Sequence, residues 1–165
     1  MTVRAWLAAC LLALLPLLAA AQGLPPGVRL GIGVDELRRA LPALEAVRRP
    51  QRLAGGLAGS WRLDDAREAG LAGAQTFFLA AGALRRVEFM AGAPASPEEG
   101  AAAFDAVVAW GRGLYGAERP AQDAFSRYAA WSSPEADVYV RLLLPPRAGL
   151  QLVFSARPAR DDGTL

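Results

Sequence analysis

The chain has 165 residues, a formal charge of +2 at pH 7, one cysteine, and no histidine, lysine or asparagine. Without histidine there is no Ser-His-Asp triad, Cys-His dyad or histidine zinc site, and without lysine no Schiff base or P-loop lysine. Near-neutral charge, with arginines scattered in ones and twos, gives no electrostatic footprint for nucleic acid.

Residues 1–21 read as a secretory signal peptide. Arg4 is the positive end, residues 6–18 are apolar, and Ala19-Ala20-Ala21 offers a cleavage site before Gln22. The run is too short and wrongly flanked for a stable membrane span. Leu7-Ala8-Ala9-Cys10 resembles a lipobox, but cleavage there would cut the apolar run in half. The expectation is a periplasmic or secreted chain starting near Gln22. It would have no cysteine, and so no disulfide or thiolate metal site. The Ala-, Gly- and Pro-rich composition is that expected of a GC-rich bacterial genome.

Residues 22–157 are expected to form one domain, with 158–165 a flexible tail. Val34, Leu37 and Leu41 recur at helical spacing, and Pro42 ends that helix. Residues 60–63 alternate as a strand and 64–73 read as a polar connection. Residues 75–80 and 84–90 read as a hairpin around Ala81-Gly82. Alternation puts Leu84, Arg86, Glu88 and Met90 on one face of the second strand, with Val87 and Phe89 as core. Ser96-Pro97-Glu98-Glu99 is a capping box that starts a long helix running to about Leu114. Phe104, Val107, Val108, Gly111, Leu114 and Tyr115 line one face of it. Strands follow at 124–131, 136–144 and 149–155, with turns at 132–135 and 145–148.

Both halves thus read as one helix and three strands, over 30–91 and 96–156, with Trp61 and Trp131 in matching places. The predicted fold is α+β: an antiparallel sheet of about six strands with two helices on one face, as a tandem αβββ duplication. Two helices can cover a sheet that one cannot. Gly31-x-Gly33, Glu36-Leu37, Trp61 and the 77–89 hairpin resemble one unit, and Leu114-Tyr115-Gly116 with Trp131 the other, of the tandem helix-plus-sheet proteins. These are the BamE (SmpA/OmlA) type family and the β-lactamase inhibitor protein. The resemblance implies a fold more than an activity. This chain departs from it in lacking both disulfides and a convincing lipobox.

Asp64-Asp65-x-x-Glu68 is the densest acidic cluster; it reads as a solvated loop, with a cation site as the rival. Glu88 reads as an exposed sheet-face charge, with a place in a glycosidase carboxylate pair as the rival. The better binding candidates are Trp61, Arg127, Tyr128, Trp131, Tyr139 and Arg141, because aromatics and arginine carry binding hot spots. Tyr128 with Tyr139, and Arg127 with Arg141, could share a face, while core positions are the competing reading for Trp61 and Trp131. No metal and no cofactor is expected. The sequence points to an exported, non-catalytic protein that binds another envelope protein or envelope component. The alternatives are a carrier of small apolar ligands and a carboxylate-based hydrolase.

Overall fold

The computed structural model describes residues 23–144 and 148–157. The expected signal peptide with Cys10, the turn at 145–147 and the tail from 158 lie outside the described residues.

Helix α1 (Val34–Ala40) carries Asp35 and Glu36 in its first turn, where carboxylates suit the helix dipole. It buries Leu37 and ends before Pro42, as expected. Helix α2 (Pro97–Tyr115) is capped by Ser96, whose Oγ accepts the Glu99 N–H at 3.2 Å. The Glu99 carboxylate reaches back to the Ala95 N–H at 2.6 Å, one residue before the cap itself. The helix stops at Gly116, whose φ of +84° favours glycine. Phe104, Val107, Val108 and Gly111 are buried as predicted, whereas Leu114 stays 37 % exposed.

The strands are β1 (Glu45–Ala46), β2 (Ala58–Glu68), β3 (Leu71–Ala80), β4 (Ala83–Ala91), β5 (Arg119–Gln122), β6 (Ser126–Ser132), β7 (Ala136–Leu143) and β8 (Gly149–Ala156). They form one antiparallel sheet in the order β1-β2-β3-β4-β8-β7-β6-β5. Each half is therefore one helix and four strands, and the last strands of the halves pair at the centre. The expected six strands become eight. The two missed ones, β1 and β5, are short edges with every residue exposed, so burial left no alternation to read. Pro120 is tolerated in β5 because that strand is an edge.

The expected connection at 64–73 is also corrected. It is the far end of a long β2–β3 hairpin, turned by Ala69 and Gly70, both at positive φ as a type I′ turn requires. Asp64, Asp65 and Arg67 face solvent and mimic loop composition. Gly73 is needed where β3 runs hard against β4. A Cβ there would lie 2.1 Å from the Met90 carbonyl oxygen. Ala66 then enters the core, with Ala69 and Leu71 packed beside it.

β-Bulges redistribute side chains between the faces. Phe78 pairs with Arg86 but Leu79 pairs with Leu84, so Arg85 is the extra residue. Strict alternation put Leu84 beside Arg86; the bulge turns it to the helix side, where it is fully buried. Ser60 is a second extra residue, placing Trp61 opposite Phe77 and Gly59 opposite Phe78. One row across the helix side then reads Trp61, Phe77, Val87, Phe154, Val138, Trp131. Leu37, Phe104, Val107 and Val108 join it in one core.

Candidate functional site

The opposite face of the sheet carries the candidate site. Three rows cross it. Thr76, Glu88, Val153, Tyr139 and Ala130 form the first; Ala74, Met90, Gln151, Arg141 and Tyr128 form the second; Phe78, Arg86, Ser155, Asp137 and Ser132 form the third, with Phe78 fully buried. Both helices lie on the far side, since the residues they bury belong to the core there.

Arg86, in the third row, ties that row to the first. Its Nε donates to Glu88 Oε1 at 2.6 Å, one terminal nitrogen to Tyr139 Oη at 2.8 Å, and the other to Ser155 Oγ at 3.2 Å. Gln151 Nε2 occupies the other Glu88 oxygen at 3.0 Å. Burial opposes the charge on Arg86. The hydrogen bond to Glu88, with the fields of Tyr139 and Glu88, outweighs it and holds the guanidinium pKa above its ordinary value. The network lies over Val153, which is fully buried although no helix covers it.

Glu88 is thus not the exposed charge the sequence suggested. It stands on the predicted face, but at 9 % exposure and with both oxygens engaged. Its partners on paired strands are Thr76 and Val153, so neither pairs it with a second carboxylate.

The second row is more open. Met90 is 40 % exposed. Arg141 is half-buried, its Nε enclosed without a hydrogen-bond partner among the described residues. Phe125, in the turn before β6, is 72 % exposed. Asp123 shapes that turn: its Oδ1 accepts from the N–H of Phe125 and from the N–H and Oγ of Ser126. These bonds, with the field of Arg141, pull the Asp123 pKa down.

Of the six binding candidates, Tyr128, Tyr139 and Arg141 stand together on this face. Trp61, Arg127 and Trp131 stand on the other side. Trp131 is core, 3 % exposed, with Nε1 donating to the Gly116 carbonyl at 3.0 Å. Trp61 is half-buried beneath Arg38, whose guanidinium lies 5.5 Å from the ring centroid. Arg127 pairs with Asp105 at 3.3 Å and covers the Phe104 ring. It therefore does not share a face with Arg141. Sequence reasoning passed over Arg86, Gln151, Met90 and Phe125. Period-2 alternation already placed Arg86 and Met90 beside Glu88; Phe125 left no such signal.

A groove of about 390 Å³ runs between α2 and β5, lined in part by Phe104, Val108 and Pro120. It is open, and the ion pairs Arg112–Glu118 and Arg127–Asp105 hold its sides. A recess beside Leu24, Tyr115 and Phe154 holds about 20 Å³, room for a water rather than an apolar ligand. Among the described residues no three acidic or cysteine side chains cluster to hold a metal, and no helix is long and apolar enough to cross a membrane.

No family model, no curated protein and no solved structure matches this chain. Function has to be argued from the face itself.

Proposed function

We propose that this is an exported, non-catalytic interaction protein of the bacterial envelope, which binds a partner protein or envelope component through the sheet face bearing Tyr128, Tyr139 and Arg141. One observation carries the reading. The main core cluster lies on the helix side, yet the other face, beside the buried Phe78 and Val153, presents Met90, Arg141 and Tyr128 in one row. Thioether, guanidinium and aromatic groups at such a position suit a contact surface. The signal-like leader and the resemblance to BamE-type proteins belong to the same proposal, the first for location and the second for architecture.

The test is site-specific photocrosslinking in envelope extracts. A photoreactive residue at Met90 or Tyr128 should give a discrete adduct, and one at the exposed helix position Ala109 should not. Changing Tyr139 and Arg141 together to Ala should abolish the adduct in a folded protein. Adducts only from Ala109, or an adduct unaffected by the double change, would reject the reading.

A further inference from the structure

The helix side of the molecule holds a polar pair that the proposed binding face does not use. Glu68, at the end of β2, is 9 % exposed, and Gln75 of β3 is 1 % exposed. Gln75 Nε2 donates to Glu68 Oε2 at 3.1 Å. Gln75 Oε1 is enclosed with no hydrogen-bond partner among the described residues. No salt bridge among the described residues includes Glu68. Tyr115 of α2 is the titratable group whose field it shares.

An ionised carboxylate only accepts hydrogen bonds, so it cannot serve an orphaned amide oxygen; a neutral carboxyl has one O–H to donate. We propose that Glu68 is kept as the neutral acid and gives its hydrogen bond to Gln75 Oε1, so that an acid–amide pair pins the end of the β2–β3 hairpin to the core. Loss of the proton removes the donor, leaves two buried acceptors facing each other, and frees that end.

The electrostatics agree with the geometry. Burial lifts the Glu68 carboxyl from 4.5 to about 7, against the lowering pull of the Ala69 N–H and the Gln75 amide. Burial, with the field of Glu68, pushes Tyr115 up to about 12, so it stays neutral throughout. The folded-state pKa is raised, so the folded chain binds the extra proton. Stability from this group is complete below the unfolded value, falls as pH climbs from 4.5 to about 7, and is flat above. A shift of this size corresponds to roughly a hundredfold in the folding equilibrium.

The experiment measures urea unfolding of the whole mature chain from about pH 5 to about pH 8, for wild type and for Glu68→Gln. The glutamine keeps a donor for Gln75 Oε1 and cannot titrate. Wild type should lose on the order of a hundredfold in its folding equilibrium, while Glu68→Gln should be nearly flat. Difference infrared spectra should show a protonated carboxyl band in wild type near pH 6 that fades toward pH 8. If Glu68→Gln fails to fold, this wild-type band decides alone. A wild type insensitive to pH, a Glu68→Gln variant with the same slope, or carboxyls that all titrate below about pH 5 would each overturn the assignment. None of these outcomes touches the opposite, partner-binding face.

Discussion

Trp61 and Trp131 stand in one row across the sheet, each in the second strand of its half, yet only Trp131 is sealed. The difference lies in the helix above each. α2 has 19 residues and sets Gly111 directly over Trp131: a Cβ on Gly111 would lie 2.4 Å from the indole. Tyr115 closes the side, with ring centroids 6.1 Å apart. α1 has 7 residues and sets the guanidinium of Arg38 over Trp61, 5.5 Å from the ring centroid. Trp131→Ala should therefore cost about 3–5 kcal/mol in urea unfolding, and Trp61→Ala only about 1–2 kcal/mol. Equal losses would mean that the two tryptophans are equally packed.

Gly111→Ala tests the same contact from the helix. The added methyl must displace the Trp131 ring, an overpacking cost of about 1–3 kcal/mol despite alanine's better helix propensity. Gly113, with nothing within 4 Å of an added Cβ, is the control, and Gly113→Ala should stabilise. A gain in melting temperature from both changes would contradict the packing described.

On the uncovered face, Arg86→Ala would leave Glu88 nearly buried with only Gln151 as a side-chain partner. A loss of about 2–3 kcal/mol is expected. Tyr139→Phe removes one hydrogen bond to Arg86 and should cost about 1 kcal/mol. A double-mutant cycle should give a coupling above about 0.5 kcal/mol, because both changes touch one network. Additive losses would mean that the Arg86–Tyr139 bond contributes nothing in solution.

At the start of α2, Ser96→Ala removes the acceptor for the Glu99 N–H and should cost about 1 kcal/mol. Val108→Asp puts an unpaired carboxylate into the core and should cost several-fold more. If Val108→Asp leaves the melting temperature unchanged, the helix face is misassigned.

The proposed export makes a separate prediction. Mass spectrometry of the mature protein should find an unlipidated N-terminus at or near Gln22. Gly23 already sits against α2, where a Cβ would meet Trp110 and the Tyr115 hydroxyl within 3 Å. Gly23→Val should therefore disturb this seat and lower the melting temperature. A lipid-modified Cys10 would overturn the expected processing.

Local chemistry determined much of this protein. Ser96 and Glu99 specify where α2 starts because capping groups must lie within a few residues of the amides they satisfy. Alternation in β7 alone separates Val138, Val140 and Leu142 from Tyr139 and Arg141, since burying a charge costs far more than exposing it. Three matters were left to tertiary structure. The edges β1 and β5 exist only because β2 and β6 present free hydrogen-bonding groups to them. The bulge at Arg85 turns Leu84 to the core, because a one-residue slip flips a side chain across the sheet. The face given to Arg127 and Trp131, and the burial of Glu88, depend on which partners arrive from distant segments. Gln75 meets Glu68 locally, 7 residues on across the β2–β3 turn, whereas Gln151 lies 63 residues from Glu88. No local pattern in the chain encodes that second meeting, because it is made by the pairing of β4 with β8.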